Sequence, residues 1–280
     1  MNIIKERQNE NQLLSIQFVA RYYYNRAEIY NLISWIFCLI SFFSCVLPKT
    51  LPSVLLYGIP FLIEILAAVF CYLFSSSISL GSQLRAAFDD YVLGFSEKLN
   101  IKQELLEKAI SVINKNKKQA EVQKRNTGKD NPPGVKDWYN TDSNETGISA
   151  IFLCQKENTW WDKKLTPWKI LLNSIFIIGC ILFLWLMVSF KYISVCQIFL
   201  SAVLILRLIE RVCVNISYYS VGKEIDGIEK VLKVSKTDEQ ISYLQSAINK
   251  KRSLNIVGIN FIHKLLANKL SDIYKQLRKQ

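Results

Sequence analysis

Four apolar runs constrain this 280-residue chain more than any other feature, because a helix needs about 20 apolar residues to cross a bilayer. The run 29–47 carries no charged residue, 53–75 carries only Glu64, 170–190 carries none, and 193–212 is uncharged until Arg207, Glu210 and Arg211 at its end. A helix packed on the core of a water-soluble domain is usually shorter and keeps a polar stripe on its outer side. These runs have no such stripe. The expected fold is an all-α membrane protein with four transmembrane helices.

The spans pair into two tight hairpins, 29–75 and 170–212. Pro48-Lys49-Thr50-Leu51-Pro52 joins the spans 29–47 and 53–75, and Lys191-Tyr192 joins 170–190 and 193–212. Each linker carries one lysine, whereas four cations lie in the arm 1–28, 14 between Ser76 and Pro167, and 12 after Val212. Cationic loops stay cytoplasmic, so the arm 1–28, the segment 76–169 and the tail 213–280 are all expected there, with both termini inside. The first 28 residues lack the apolar stretch of a signal peptide, so the first span is expected to remain as an anchor. Most of the seven cysteines sit inside the spans and none forms a C-x-x-C pair. They read as small apolar filling, not as a disulfide frame or zinc site. The Asn-x-Ser/Thr sequons at Asn144 and Asn215 fall on the cytoplasmic side, where they carry no meaning.

About 190 residues lie outside the spans, enough for a cytoplasmic helical domain built from the arm, the middle segment and the tail. In the arm, Leu13, Ile16, Ala20, Tyr23 and Ala27 recur at helical spacing and feed the first span. After the second span the helical pattern continues over 82–95, Asn100 interrupts it, and Ile101, Leu105, Ala109 and Ile113 stripe the next helix. From Lys115 to Lys129 six cations meet one acid, and Asn131-Pro132-Pro133-Gly134 ends regular structure. The run reads as a solvated linker or as a surface for phosphate and anionic lipid. A short helix over about 149–164 leads to the third span. The tail holds three amphipathic stretches, the last a seam of Ile262, Leu266, Leu270, Ile273 and Leu277.

Little here points to catalysis. The single histidine, His263, has no Cys or Asp nearby in sequence, and no GxxxxGKS/T, GxSxG or HExxH motif occurs. Asp89 and Asp90 are adjacent on a helix and so face different directions, which suits caps or salt bridges better than a metal pair. No enzymatic activity, metal or cofactor is expected. Thirty-five Lys and Arg against 23 Asp and Glu leave a net charge of +12, which favours anionic partners such as nucleotides, nucleic acid or lipid headgroups. Trp168 suits an interfacial anchor, and Trp160-Trp161 suit either helix packing or base stacking.

Glu64 stands twelfth of the 23 residues in its span, near the midplane, where an ionised carboxylate is costly. Pro60, four residues earlier, frees the carbonyl of Leu56 and kinks the helix. The acid either lines a pore, holds a helix contact in protonated form, or pairs with Arg207. The helical rise of ~1.5 Å per residue puts Arg207 roughly 5–7 Å nearer the cytoplasm.

Several pieces together carry a resemblance. Arg7-Gln8-Asn9 precedes Ala20-Arg21 and Tyr24-Asn25-Arg26-Ala27, and Phe88-Asp89 follows the second span. Asp137-Trp138-Tyr139 leads to Cys154-Gln155-Lys156-Glu157-Asn158 and Trp161-Asp162-Lys163-Lys164-Leu165, with Leu244-Gln245, Ile248 and Arg252 in the tail. This order, interleaved with two hairpins of spans, resembles the SMODS-associated four-transmembrane effector family of bacterial anti-phage operons, the signalling systems called CBASS. The resemblance covers essentially the whole chain. It departs from the pattern at Lys156 and Lys163-Lys164, where arginines are expected, and in the missing acid before Phe88-Asp89. Lysine meets phosphate as a point charge and arginine as a fork, so ligand choice would differ.

The resemblance implies a receptor-effector in the bacterial inner membrane. Its cytoplasmic domain would sense a cyclic oligonucleotide second messenger, and its spans would assemble as a homo-oligomer that disrupts the lipid bilayer. No nucleic-acid polymer is expected as a partner. An anionic messenger needs cations and aromatic faces. The candidate ligand-binding residues are Trp138, Tyr139, Gln155, Lys156 and Asn158, with Lys117, Lys118, Lys124 and Arg125 of the basic run. Glu64 and Arg207 are the candidates for a role within the membrane. A constitutive channel or small transporter, and a membrane scaffold for a cytosolic partner, remain as alternatives.

Overall fold

The long apolar runs fold as helices because nothing in them stops a helix and every backbone polar group must be satisfied within lipid. In a computed structural model of the protein the described residues are 2–43, 52, 54–140, 145–190 and 202–254, and they form helices without a named strand. Helix α1 is Asn2–Gln8, α2 is Asn11–Phe43, α3 is Ile59–Val92 preceded by a π-helical turn Val54–Gly58, and α4 is Gln103–Lys115. Helix α5 is Lys117–Arg125, α6 is Gly147–Ser189, α7 is Ala202–Val234 and α8 is Asp238–Arg252. Three of these, α2, α3 with its π turn, and α6, are long and apolar enough to cross a membrane. The fourth expected span lies partly outside the described residues, as do the linkers Pro48–Lys49 and Lys191-Tyr192, His263 and the seam from Ile262 to Leu277.

The structure corrects two local expectations. The basic run is no linker through Arg125. Lys, Gln, Ala, Glu and Arg are good helix formers, and α5 buries Ala120 and Gln123. The helix expected over about 149–164 is not short either. It continues through Lys163, Lys164 and Pro167 into the apolar run as the 43-residue α6. Proline inside a helix removes one hydrogen bond, which the turns on either side tolerate here.

The chain divides into two compact units. The first comprises Met1–Arg26, Ser76–Asp162 and Ser220–Leu254. Its core joins Leu13, Ile16, Phe18 and Val19 of α2 to Leu84 and Phe88 of α3, Leu105 and Ala109 of α4, Ala120 of α5, Tyr139, and Cys154 of α6. A neighbouring cluster packs Phe152 of α6 against Val221, Ile225 and Leu232 of α7 and Ile241, Leu244 and Ile248 of α8. Helix α3 stops where Gly94 takes a left-handed φ of 86°, the helix-ending conformation glycine adopts without strain. The segment after α5 folds back so closely that a Cβ on Gly134 would sit 1.8 Å from the Asn126 carbonyl oxygen, and only glycine fits. Helix α8 starts on Thr237, whose hydroxyl accepts from the Gln240 N–H at 3.3 Å, with Asp238 and Glu239 in its first turn and Lys250, Lys251 and Arg252 in its last. That charge order complements the helix dipole.

The second unit includes Ala27–Ser75 and Lys163–Tyr219. Inside it, Cys38 and Phe42 of α2, Ala67 of α3, Ile177 and Cys180 of α6, and Leu204 and Leu208 of α7 pack together. Its outer side is apolar: Ile29, Leu32, Phe61, Leu62, Ile175, Ile178 and Trp185 are all exposed. Contiguous apolar surface of that extent belongs against lipid and not water, as in a multi-pass membrane protein.

Candidate functional site

The first unit is organised around one buried acid. Asp89 sits on α3 with no exposed surface, one helical turn after Arg85, and the two form an i, i+4 ion pair at 3.6 Å. Tyr139 Oη donates to Asp89 Oδ1 at 2.6 Å, Gln245 Nε2 of α8 donates to Oδ2 at 3.3 Å, and the Arg252 guanidinium at the end of α8 also donates to Oδ2. Four side chains, from α3, α8 and the segment after α5, therefore meet on one carboxylate. Asn158 of α6 donates to Tyr139 Oη at 3.1 Å, and the ring of Tyr139 stacks on Phe88 with centroids 6.4 Å apart.

A second layer fixes these groups. Gln8, at the end of α1, takes both backbone groups of Tyr139, accepting from its N–H at 2.7 Å and donating to its carbonyl at 3.2 Å. Gln155 of α6 donates to the Ile241 carbonyl at 3.0 Å and to Gln245 Oε1 at 3.1 Å. Arg85 Nη1 donates to Gln17 Oε1 of α2, and the Arg85 guanidinium lies 3.7 Å from the centroid of the Trp138 ring. Asp90, the neighbour of Asp89 in sequence, bonds to Asn249 of α8, which accepts from Gln245 Nε2 at 3.1 Å.

The electrostatics are lopsided: two guanidiniums share one carboxylate. Burial works to raise the Asp89 carboxyl, yet the charges of Arg252 and Arg85 and the bonds from Tyr139 and Arg252 hold it below the usual range. Arg252 loses some basicity to burial and regains more from Asp89 and from Tyr139, so its net shift is upward. Arg85 stays below its ordinary value because burial outweighs the Asp89 attraction, with Arg252 adding repulsion. Burial and then Asp89 push Tyr139 well above 10, which keeps the phenol a donor. Asp90 is raised by burial and by Asp89. Three polar atoms of the cluster are buried without a hydrogen-bond partner: Arg85 Nη2, Gln17 Nε2 and Gln155 Oε1.

The structure brings Trp138, Tyr139, Gln155 and Asn158 into this cluster. Gln155 is fully buried and serves the contact between α6 and α8. Lys156, its neighbour, is exposed. Lys117, Lys118 and Arg125 lie on the exposed side of α5. Lys124 donates to Asn11 Oδ1 at 3.0 Å, and Arg125 pairs with Glu121 at 3.5 Å. The bonds found for these α5 cations go to Asn11 and Glu121, not to the Asp89 cluster. Gln17 and Arg85 are additions that residue type alone did not flag. The i, i+4 spacing of Arg85 and Asp89 was the visible signal for that pair.

In the second unit, Glu64 and Arg207 are both buried but hold different partners. Ser41 Oγ donates to Glu64 Oε1 at 3.1 Å. Arg207 donates to Ser34 Oγ at 2.6 Å and Cys38 Sγ at 3.3 Å, with its guanidinium 4.5 Å from the Trp35 ring centroid. Ser34 and Ser41 are seven residues apart on α2, which is two turns or ~10 Å. Among the described residues no ion pair joins Glu64 to Arg207. No cluster of three or more His, Cys, Asp or Glu among them is arranged to hold a metal ion.

The sequence model of the family described as the SMODS-associating 4TM effector domain matches residues 2–206. That stretch contains Gln8, Gln17, Arg85, Asp89, Trp138, Tyr139, Gln155 and Asn158, whereas Gln245 and Arg252 lie beyond it. No curated protein and no solved structure matches the chain.

Proposed function

The chain belongs to the SMODS-associating 4TM effector domain family, and from that premise we propose that it is a nucleotide-gated membrane effector of a bacterial anti-phage system. The first unit is the cytoplasmic sensor of a cyclic oligonucleotide. Four spans in two hairpins hold the protein in the inner membrane with both termini cytoplasmic. On binding, copies of the chain assemble and the spans breach the bilayer. The protein performs no chemistry on its ligand.

One observation supports this reading above the others: two buried guanidiniums, Arg85 of α3 and Arg252 of α8, share the Asp89 carboxylate in a cluster to which α2, α3 and α6, the helices that continue as the apolar segments, each contribute a side chain. A ligand shifts an equilibrium only by its differential affinity for the two states. An anion is more favourable wherever this excess charge is better exposed to it, so an anionic messenger has a means of selecting a state. Continuous helices give that selection a covalent route to the spans.

The test is co-expression in bacteria with an active cyclic-oligonucleotide synthase and with its catalytically dead variant. Membrane depolarisation with the active synthase alone is the expected outcome. The buried Glu64 and Arg207 support a second reading, a constitutive channel, and equal depolarisation with the dead synthase would establish that reading instead.

A further inference from the structure

Trp138 differs from the rest of the Asp89 cluster in being exposed, with 41% of its surface open. Its backbone is nevertheless held on both sides. Asn9 Nδ2 donates to Asp137 Oδ1 at 2.8 Å and Asn9 Oδ1 accepts from the Asp137 N–H at 3.1 Å. Gln8 grips Tyr139 in the same reciprocal way. Asp137 itself stands at a φ of 50°, in the left-handed region that few residues other than glycine occupy. Strained, over-determined backbone of this kind gathers at ligand sites. Four hydrogen bonds and a strained residue thus present one indole to solvent in a fixed place.

One face of that indole covers the Arg85 guanidinium, so the open surface belongs to the ring edge and the opposite face. Beneath it lie two donors without partners, Arg85 Nη2 and Gln17 Nε2, on side chains 6% and 2% exposed. They are neighbours, because Arg85 Nη1 is bonded to the same Gln17 amide. Asp89, the carboxylate paired with Arg85, is shared with Arg252. The cluster therefore has two buried donors, one of them on a guanidinium whose counter-ion is shared, beside an aromatic ring partly open to water. Lys136, two residues before Trp138, is exposed on the same segment. A group that satisfies all of this has a π surface and an anionic acceptor a few ångströms apart.

We propose that Trp138, Arg85 and Gln17 form the subsite for one nucleotide unit of the messenger. The base stacks on the outer face of Trp138, and a phosphoryl oxygen of the same unit accepts from Arg85 Nη2 and Gln17 Nε2. The charge of the neighbouring phosphodiester is met by Lys136. This assignment rests on the reading of the chain as a nucleotide receptor and names where on the first unit that reading operates.

The full-length protein in lipid nanodiscs is titrated calorimetrically with cyclic di-AMP, cyclic di-GMP, cyclic GMP-AMP and cyclic tri-AMP, and the tightest of these is carried to the variants. Trp138→Ala should weaken its binding by about 5- to 150-fold, the equivalent of one lost base stack. Trp138→Phe keeps a π face and should stay within a few-fold of the parent. Gln17→Leu removes one orphan donor and should weaken binding about tenfold; it also lowers thermal stability, because Arg85 Nη1 loses its acceptor. If Trp138→Ala binds as the parent does, the subsite is overturned and the receptor reading stands. If Phe is as damaging as Ala, stacking is overturned. If the parent binds none of the four, the receptor reading falls and the subsite falls with it.

Discussion

Replacing Asp89 with Asn removes the charge on which four side chains converge and leaves the shape almost unchanged. The carboxylate accepts from Tyr139, Gln245 and Arg252 and pairs with Arg85. Every one of these partners is a donor. Asn offers one acceptor oxygen and turns an N–H toward the other pair, so one side of the site meets donor with donor. The less costly arrangement keeps the oxygen on Arg252 and Gln245, leaves Tyr139 and Arg85 facing the N–H, and deprives both guanidiniums of their counter-charge. Removing one member of a buried ion pair costs about 3–5 kcal/mol. At about 1.4 kcal/mol per decade that is roughly two to three and a half decades in an opening equilibrium. The place to read it is α8, tethered through Gln245 and Arg252. Hydrogen exchange of amides in Asp238–Arg252 should lose protection by that factor, up to the limit of the parent's own protection. Exchange within threefold of the parent would refute the reasoning. The pH dependence carries its own sign. The Asp89 carboxyl is held below its ordinary value of 3.8, so its contribution is fully present above that pH and is lost as pH falls through the folded-state value. The gap in thermal stability between parent and Asp89→Asn should therefore be flat from about pH 5 to 8 and close only in stronger acid.

Asp90 has the opposite sign, because burial and Asp89 raise its carboxyl: its ionisation opposes folding as pH rises through the folded-state value, so Asp90→Asn should be the more stable protein at pH 7 and lose that advantage below about pH 4 in thermal unfolding. Reporter fusions at Lys49 and Lys191 should read outside and fusions at Lys129 and Gln280 inside, and a cytoplasmic signal at Lys49 would sink the proposed topology. Glu64→Gln retains an acceptor for Ser41 and should preserve expression while changing leakage or oligomer size. Glu64→Leu should insert more readily, by a few kcal/mol, yet be inactive, and a Leu variant that permeabilises as the parent does would reduce Glu64 to a tolerated acid.

What the sequence disclosed was what periodicity and length can carry. Leu13, Ile16, Ala20 and Ala27 are buried on α2 as their spacing required, and Leu105 and Ala109 likewise on α4. The short helix expected over about 149–164 runs on into the third span, because α6 carries its hydrogen-bond ladder past Lys163, Lys164 and Pro167. The basic run hid α5, since only Ala120 and Gln123 mark its buried side and a stripe that thin lies below what periodicity detects. At the site, Trp138 and Tyr139 drew notice as aromatics beside cations. Gln155 drew notice too, and the structure buries it with its amide N–H groups on Ile241 and Gln245. Gln8, Gln17, Gln155 and Gln245 come from four different helices. Convergence of that kind is a product of tertiary packing, and no local pattern announces it.

The central claim is that a cyclic oligonucleotide turns this protein from a tolerated membrane resident into one that breaches the bilayer. Purified full-length protein reconstituted in dye-loaded liposomes of bacterial lipid tests it directly, with dye release followed before and after addition of each cyclic di- and trinucleotide. The account predicts a low basal rate and a concentration-dependent burst with at least one of them, abolished by Trp138→Ala at concentrations that saturate the parent only marginally. Release at the same rate with and without nucleotide would contradict it.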